Sequence, residues 1–398
     1  MNFGSFDKFN HRTIHFAEFG NPTKLVSTFV MQADFFQRYT FFLYFCICKK
    51  KIVMQDIRTL SLNELSTFFL SCGEKSFRAK KVYEWLCKKN VVDFESMNNI
   101  PKSLQQVLKE NFTLHHFTIA KEQISKDFSR KYLLQLFDNH YIEMVLIPSS
   151  NRVTVCISSQ VGCAMSCRFC ATGNMGFNRN LSVAEIYEQV FVANELAQEH
   201  YGIHLSNVVI MGMGEPLLNF DNVDKALQLM TNKYGMEMSP SRITLSTVGI
   251  SEGIRKMAEF QPKIGLALSL HCAFQNKREQ IMPISHTQNI EKLIDALTYY
   301  HQKTSQRITI EYLLLDGIND SLDDAKQLAL FCKHFPVKIN IIDYNANAHT
   351  TFKPTSVQNR EAFIDFLTTK NILVQLRRSK GQDIDAACGQ LANKNQKR

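Results

Sequence analysis

Three cysteines lie close together in the middle of the chain, and their spacing indicates an inorganic cofactor. Cys163, Cys167 and Cys170 fall within eight residues of polar and glycine-rich sequence, which argues against three core thiols packed as small hydrophobes. A closed structural zinc site needs four ligands, and no second Cys pair or His pair lies nearby at zinc-finger spacing. A 4Fe-4S cluster can accept three thiolates and leave one iron open to a substrate. This loop is therefore predicted to hold a 4Fe-4S cluster.

The Cys-x3-Cys-x2-Cys spacing resembles the motif of the radical S-adenosylmethionine (SAM) superfamily. The resemblance implies that SAM binds the open iron and is cleaved there to a 5'-deoxyadenosyl radical. It also implies that Gly214 and Glu215, in the turn Gly212–Pro216, bind the amino group of SAM, for which a carboxylate is chemically suited. Without the cysteines, the same glycines would indicate only a tight turn. Further candidate SAM-binding residues at later strand ends are Ser246, Ser269, Leu270, His271 and Asn345.

The elements that must position these residues alternate regularly from residue 153 onward. Strands are predicted over 153–157, 207–212, 242–247, 264–270, 307–315, 337–342 and 372–377, and helices over 182–199, 221–233, 250–258, 289–303, 321–334 and 358–369. Such alternation is typical of a parallel sheet with helical crossovers. Six strand–helix units are too few to close an eight-stranded barrel. We therefore expect an α/β fold, a partial (β/α)6 TIM-like barrel of the radical SAM type, with its chemistry at the carboxyl ends of the strands.

The remaining sequence is predicted to divide around this core. Residues 1–53 are interpreted as a leader outside the fold, because the apolar run Tyr39–Cys48 has about half the length of a membrane-spanning helix and Met54 offers a second start. The other predicted parts are a small helical N-terminal accessory domain over 54–115, an antiparallel β lead-in over 116–152, the core over 153–378 and a C-terminal tail over 379–398.

Composition favours an anionic partner. The net charge is +9, with 45% hydrophobic and 21% charged residues, as expected of a soluble globular protein whose commonest anionic partner is nucleic acid. Eleven cysteines, an odd number, without an initial secretory signal indicate a reducing cytoplasm. The predicted helix 77–89 interleaves cations with Tyr83 and Trp85, which favours RNA contact. The alternative is a solvated amphipathic helix that buries Trp85.

Several longer strings carry a closer resemblance. They are Val155–Cys163, Cys170–Gly173, Gly176–Leu181, Gly212–Asn219 and Asp383–Leu391. These strings resemble the radical SAM adenine methyltransferases of RNA, the RlmN and Cfr group, and the likeness extends from about residue 54 to residue 391. Only residues 1–53 fall outside the family pattern.

The resemblance implies a mechanism with two molecules of SAM. Carbon 2 of adenine is electron-poor and cannot attack a methyl sulfonium, so the enzyme must deliver a radical carbon. By family likeness, Cys388 is first methylated and its S-methyl group then becomes the radical that adds to adenine. Cys156 resolves the adduct through a transient disulfide, and Glu143 accepts the ring proton. Taken alone, Cys388 would be an exposed tail thiol and Glu143 an ordinary carboxylate on a strand.

The implied partners are RNA molecules and an electron donor. Carbon-2 enzymes of the group act on an adenosine of 23S rRNA at the peptidyl transferase centre and often on an adenosine beside the tRNA anticodon. The electron donor would be a protein such as flavodoxin or ferredoxin. We expect a cytoplasmic monomer with no membrane partner.

Three alternatives remain at this point. Methylation at carbon 8 is the other outcome within the group, although Pro216, followed by Leu217 and Leu218, favours carbon 2, because Ala is expected in place of Pro in the carbon-8 type. A non-catalytic iron-sulfur RNA-binding protein would leave Cys156 and Cys388 without a purpose. A radical SAM enzyme acting on a small molecule is disfavoured by the net charge and the basic helical region.

Overall fold

The structure, a computed structural model, describes residues 54–347 and 350–392. The predicted leader over 1–53 and the last six residues of the predicted tail lie outside the described residues. From residue 55 onward the described chain forms one compact unit. No helix in the described ranges is long and apolar enough to cross a membrane.

Twelve strands and ten α-helices are described. The strands are β1 Thr118–Ile124, β2 Arg130–Gln135, β3 Tyr141–Ser149, β4 Arg152–Ile157, β5 Gln160–Gly162, β6 Phe177–Asn180, β7 Asn207–Ile210, β8 Ile243–Thr247, β9 Gly265–Ser269, β10 Ile308–Leu314, β11 Val337–Asp343 and β12 Leu373–Arg377. The α-helices are α1 Leu62–Ser71, α2 Phe77–Lys88, α3 Lys102–Asn111, α4 Val183–Tyr201, α5 Phe220–Thr231, α6 Ser251–Phe260, α7 Gln275–Ile281, α8 Ile290–Thr304, α9 Leu322–Phe331 and α10 Val357–Thr369.

One sheet contains ten of these strands, in the order β1-β2-β3-β4-β7-β8-β9-β10-β11-β12. Strands β1 to β4 pair antiparallel, as predicted for the lead-in. From β4 to β12 every neighbouring pair is parallel. Within the described residues the sheet begins at β1 and ends at β12, and no pairing joins these two edges. Because these strands are parallel, their carboxyl ends all lie on the same side of the sheet. The predicted site residues lie on that side.

The predicted alternation of strands and helices is confirmed, with ends that differ by a few residues. Three elements, helix α7 and strands β5 and β6, were not predicted. Helix α7 is short and polar, and only Arg278 and Ile281 in it are buried, so it carries no apolar periodicity. Strands β5 and β6 form a separate two-stranded sheet on either side of the cysteine loop, and they are too short to show an alternating pattern.

Helix α4, which follows β6, fixes the chain between the first parallel strand and the site. Ser182 begins it with a capping box, in which the Ser182 hydroxyl accepts from the Glu185 amide and the Glu185 carboxylate accepts from the Ser182 amide. Such reciprocal caps fix a helix start. One turn later, the buried Gln189 accepts from the Ser158 amide at 2.9 Å and donates to the Ser158 carbonyl at 3.0 Å. The helix thereby fixes the chain that leads from β4 to the cysteines.

The N-terminal helices pack on the same core. Arg58, almost fully buried, pairs with Asp56 at 2.7 Å and with Glu188 of α4 at 3.3 Å. The hydroxyl of Tyr187, also in α4, donates to the carbonyl of Cys87 at 2.6 Å. Apolar side chains of the N-terminal helices and of the sheet belong to one buried cluster. The helical segment is thus fixed on the face of the sheet that α4 covers.

Candidate active site

The three cysteines of the loop after β5 line one cavity of about 150 Å³ at the carboxyl ends of the strands. The loop is held by its own backbone, since the amide of Cys163 donates to Gly176 O at 2.8 Å and that of Cys170 to Cys167 O at 3.0 Å. Gly173 closes it, because a Cβ there would lie 2.9 Å from the backbone N and O of Cys167. The sequence therefore forces Cys163, Cys167 and Cys170 to face the same space.

The donor set fits an iron-sulfur cluster. Within the described residues, no group of three or more His, Cys, Asp or Glu side chains could hold a single metal ion. The three thiols are nevertheless near one another: burial raises the pKa of Cys167 well above its usual value, and Cys170 and Cys163 raise it further. A cluster that binds each thiolate through a different iron suits thiols that share a cavity but do not converge on one point.

A glycine turn after β7 approaches the cysteine loop closely. Gly214 has a φ of +107°, and a Cβ there would lie 2.6 Å from the Cβ of Gln160. At Gly212, a Cβ would lie 2.7 Å from the carbonyl oxygen of Ile157. Only glycine fits at Gly214 without strain. The turn brings the backbone of Gly212 and Gly214 to the wall of the cavity.

Glu215 presents a buried carboxylate to this cavity. One oxygen accepts from the Leu217 amide at 3.1 Å and the other from the Val248 amide at 2.8 Å. Its own amide donates to Gln160 Oε1 at 2.8 Å. Burial raises the pKa of Glu215 to about 7, against the lowering effect of these hydrogen bonds. A bound ammonium group would favour the ionised carboxylate, so the residue fits the predicted partner.

Three of the other predicted SAM-binding residues line the cavity. The hydroxyls of Ser246 and Ser269, on neighbouring strands, lie 3.2 Å apart. His271 has a φ of +56°, and its Nδ1 accepts from the Leu313 amide at 3.1 Å. Burial, and secondarily the charge of Arg278, lower the pKa of His271 to about 3. The imidazole is therefore neutral, and it packs edge-on against Phe169 at 4.8 Å between ring centres.

The remaining two lie outside the cavity lining. Leu270 is fully buried in the apolar core, and its carbonyl accepts from Arg278 Nε at 3.1 Å. Asn345 donates to the carbonyl of Cys388 at 3.3 Å and accepts from Gln382 at 2.7 Å. The side chain of Asn345 therefore contacts the loop that carries Cys388.

The tail docks on the cysteine loop. The Ala171 amide donates to Gly389 O at 2.8 Å, and the Thr172 hydroxyl donates to Leu391 O at 2.6 Å. This brings Cys388, an exposed thiol, into the lining of two neighbouring cavities. One is the cavity of the three cysteines, and the other, of about 110 Å³, is also lined by Cys156.

Cys156, near the end of β4, is buried, and burial raises the pKa of its thiol to about 12. A thiolate at Cys388 would raise this pKa further, and the nearby Arg377 opposes both effects. Cys156 and Cys388 are both free thiols. The transient disulfide between them stays a prediction.

Glu143 lies on β3 and is buried beside the tail, outside the linings of both cavities. One carboxylate oxygen lies 3.2 Å from the ammonium of Lys131, and the other accepts from the Ala392 amide at 2.9 Å. Burial is the main cause that raises the pKa of Glu143 above its usual value, against the opposing effect of Lys131. The predicted proton acceptor is thus tied to the segment that follows Cys388.

Arg377 is a site residue that the sequence reasoning missed. It ends β12 and lines both cavities, and it is the one Lys or Arg among the described residues that line the first. Its guanidinium lies 3.6 Å from Glu311 and 3.7 Å from the sulfur of Met211. The Cys388 thiolate is the largest cause that raises the pKa of Arg377. The rule that parallel strands present chemistry at their carboxyl ends was the available signal.

The comparisons with known proteins agree with this geometry. Residues 55–114 match the Ribosomal RNA large subunit methyltransferase N-terminal domain, and residues 157–329 match the Radical SAM superfamily. A protein of Cytophaga hutchinsonii named "Probable dual-specificity RNA methyltransferase RlmN" is 47% identical over 88% of this chain and 97% of its own length. One of the same name from Christiangramia forsetii is 45% identical over 88% and 99%.

A solved structure extends the likeness to three dimensions. The crystal structure of a radical SAM methyltransferase from Sphaerobacter thermophilus superposes with a TM-score of 0.79 at 36% identity, over 85% of this chain and 99% of that one. The fold, the three thiols of the loop and the sequence identity over most of the chain all indicate the same family. The chain belongs to the RlmN family of radical SAM RNA methyltransferases, and its cofactors are those of that superfamily, a 4Fe-4S cluster and SAM.

Proposed function

We propose that this protein methylates carbon 2 of an adenosine in 23S rRNA at the peptidyl transferase centre, and of an adenosine beside the anticodon in tRNA. It acts in the cytoplasm as a monomer, with an electron donor such as flavodoxin or ferredoxin. One observation carries the proposal. Cys388 lines both the cavity of the three cysteines and the cavity of Cys156, so one thiol can meet a radical source on one side and a second thiol on the other.

The cofactors would be held by the lining of the first cavity. Cys163, Cys167 and Cys170 ligate the cluster. Gly214 and Glu215 receive the amino group of SAM, and Ser246, Ser269 and His271 contact the rest of the molecule. Leu270 and Asn345 would contribute to SAM binding indirectly, because each holds a segment of the chain next to the cavity. When bound, the cluster and SAM would supply the radical chemistry that removes a hydrogen atom from a methyl group, which Cys388 would first have accepted from another molecule of SAM.

Cys388 carries the new carbon to the base. The methylene radical on Cys388 would form a carbon–carbon bond with carbon 2 of adenine. Loss of the ring proton to Glu143, and of one electron to the redox centre that supplied it, would restore the aromatic ring and leave a thioether between enzyme and RNA. An ordinary nucleophilic methyl transfer would require the electron-poor carbon 2 to donate an electron pair. A methylene radical can add to carbon 2 without an electron pair from the ring. This is why the carbon is first attached to Cys388.

Cys156 then releases the product. Its thiolate attacks the sulfur of Cys388, forming the S–S bond and breaking the S–CH2 bond. The electron pair of that bond goes to the methylene carbon, which takes up a proton and becomes the product methyl group. A thiol with a pKa of about 12 needs help to ionise, and Arg377, facing both thiols, supplies a cation that stabilises thiolate charge in a buried setting.

Glu143 is the acceptor of the ring proton in this proposal. Its raised pKa suits a group that must take up a proton from carbon and hold it, because burial disfavours the charged form. The carboxylate borders the tail on the side of Ala392, so it can reach the adduct only together with that segment.

The helical N-terminal region contacts the RNA. Four lysines of α2 and its end are exposed: Lys80, Lys81, Lys88 and Lys89. Trp85 is half-buried, donates to Asn99 at 2.6 Å and carries Lys89 over its ring at 3.4 Å. A cationic face backed by aromatic side chains suits phosphate contacts without sequence reading.

The test is methylation in a defined system. The protein, reconstituted anaerobically with iron and sulfide, is incubated with SAM, reductant and unmodified 23S rRNA fragment or tRNA, and nucleosides are separated by mass spectrometry. A 2-methyladenosine product that is lost in Cys388→Ala supports the proposal. An 8-methyladenosine product, or no methylated adenosine with an intact cluster, contradicts it.

A further inference from the structure

Lys131 makes two contacts that join the proposed proton acceptor to the tail that carries Cys388. Its ammonium lies 3.2 Å from Glu143 Oε1 and donates to the carbonyl of Asp385 at 3.1 Å. Strands β2 and β3 pair so that Lys131 lies opposite Val145 and Leu133 opposite Glu143. The diagonal positions Lys131 and Glu143 therefore share one face of the sheet, within reach of a long side chain.

A second contact comes from Glu143 itself. Its other oxygen accepts from the Ala392 amide at 2.9 Å. The two anchors lie on either side of Cys388 in the sequence, at Asp385 before it and at Ala392 after it. Lys131 and Glu143 are both more than nine-tenths buried. The charged groups that face Glu143 are Lys131 from β2 and Asp385 from the tail.

We propose that Lys131 is a positioning residue, which holds the Glu143 carboxylate and the Cys388 tail in one arrangement so that the charge on Glu143 governs how firmly the tail is docked. The inference rests on the proposed function of Glu143. When the carboxylate takes the ring proton, its attraction to Lys131 is lost, and it becomes a poorer acceptor for the Ala392 amide. The tail then loosens, after the carbon has been delivered and before Cys388 must meet Cys156.

A purely structural ion pair would behave differently. A buried ion pair contributes little net stability, because desolvation offsets its attraction, but removal of one partner leaves an unpaired buried charge and is strongly destabilising. If Lys131 served only the core, its removal would lower the stability of the whole sheet and leave the tail docked. A positioning role instead confines the effect to the residues around Cys388.

Amide hydrogen exchange of the full chain distinguishes a positioning role from a purely structural ion pair, and it does not depend on enzyme activity. In Lys131→Met, we expect exchange of the segment 386–392 to become about tenfold faster, the size expected when one charge-assisted contact is lost. Exchange in β4 should stay unchanged. Lys131→Arg, which keeps the cation, should restore most of the protection, and Glu143→Gln, which mimics the protonated carboxyl, should match Lys131→Met.

The matched control is Lys126→Met. Lys126 lies in the same hairpin and is exposed, and its backbone amide rather than its side chain contacts the tail, at Asp383. Its removal should leave tail exchange within about twofold of wild type. Tail exchange in Lys131→Met that stays at the wild-type rate, or that rises together with exchange in β4, overturns the inference. Failure of the wild type to form 2-methyladenosine would instead contradict the proposed function.

Discussion

The guanidinium of Arg377 and the carboxylate of Glu311 lie 3.6 Å apart, and both side chains line the cavity beside the three cysteines. The pair is longer than a hydrogen bond. Glu311 is almost fully buried, and its other oxygen accepts from Asn340 at 2.8 Å. A single loose carboxylate contact thus places the guanidinium at the boundary of the two cavities, and its charge remains effective toward the thiols of Cys156 and Cys388.

Replacement of Arg377 by Met should slow the release of product from the enzyme. Without the cation, ionisation of the buried Cys156 thiol becomes less favourable, and we expect release to slow by about tenfold or more, since one pKa unit corresponds to tenfold in thiolate. The thioether between enzyme and RNA should then accumulate, which denaturing gels with labelled RNA would detect. The matched control is Arg307→Met, an exposed arginine at the opposite end of the sheet. Equal adduct levels in both variants would exclude this role.

Replacement of Cys388 and replacement of Cys156 should block the reaction at different steps. Cys388→Ala should form neither product nor adduct, because the carrier of the methyl group is gone. Cys156→Ala should form the adduct and retain it, because the other thiol that lines the shared cavity, Cys170, is a proposed cluster ligand and would not be free to attack the Cys388 sulfur. Intact mass spectrometry of the protein with a short RNA distinguishes these outcomes. Cys72→Ala, which changes an exposed thiol elsewhere, should behave as wild type, and loss of methylation there would point to general thiol damage.

Much of the site could be predicted from the sequence, because functional residues of a parallel sheet lie at the carboxyl ends of its strands. The rule correctly brought the glycine turn at Gly214, the serines Ser246 and Ser269, and His271 to the lining that Cys163 shares. Each of these residues directly follows or ends a strand whose apolar pattern is easy to recognise. Local sequence therefore specified the location of the cofactor cavity.

The tail contacts could not be predicted in this way. The sequence predicts that Asn345 binds SAM but not that its amide contacts the Cys388 loop, and it gives no signal for Lys131 or Arg377. Each of these contacts joins segments that are far apart in the chain, and nothing in local periodicity reports such pairs. By local sequence, a lysine on a strand or an arginine at a strand end resembles a solvated cation. Lys131 is nevertheless buried, and Arg377 lines both cavities.

His271 should make the protein less stable in acid. Its ordinary pKa is 6.5, and burial lowers the pKa to about 3, so between these values the unfolded chain binds a proton that the folded protein refuses. Stability therefore falls as the pH falls below about 6.5, by roughly 1.4 kcal/mol per pH unit at most. His271→Asn should flatten this slope, because Asn keeps an acceptor for the Leu313 amide and tolerates the φ of +56°.

Denaturant unfolding of the cofactor-free protein at pH 7 and at about pH 5 measures the slope. The control is His334→Asn, at an exposed histidine, which should leave the pH dependence of the wild type unchanged. A slope that is the same in His271→Asn as in wild type would show that other groups cause the acid sensitivity.

Gly173→Ala should impair cluster binding. The added Cβ would lie 2.9 Å from the backbone N and O of Cys167, and backbone cannot move aside as a side-chain end can, so the ligand loop must distort. We expect iron content after reconstitution to fall to less than about half of wild type, a change that a strain of ~1 kcal/mol or more suffices to produce.

Gly202→Ala is the control, since a Cβ there meets nothing within 4 Å. Its φ of +69° costs about 1 kcal/mol of stability, but iron binding should persist.

The exposed lysines of α2 should contribute to RNA affinity through phosphate contacts. The double variant Lys81→Gln and Lys88→Gln should weaken binding of tRNA and reduce the slope of log affinity against log salt by about 1 to 2 units, because each phosphate contact releases roughly one counterion. Turnover at saturating RNA should stay near wild type, since both lysines lie outside the cavity linings. The control removes equal charge elsewhere on the surface, with Lys326→Gln and Lys333→Gln beside a groove that none of Cys163, Cys167 and Cys170 lines. Filter binding at several salt concentrations compares the pairs, and an equal loss of slope in both would show a general effect of net charge rather than an RNA contact at α2.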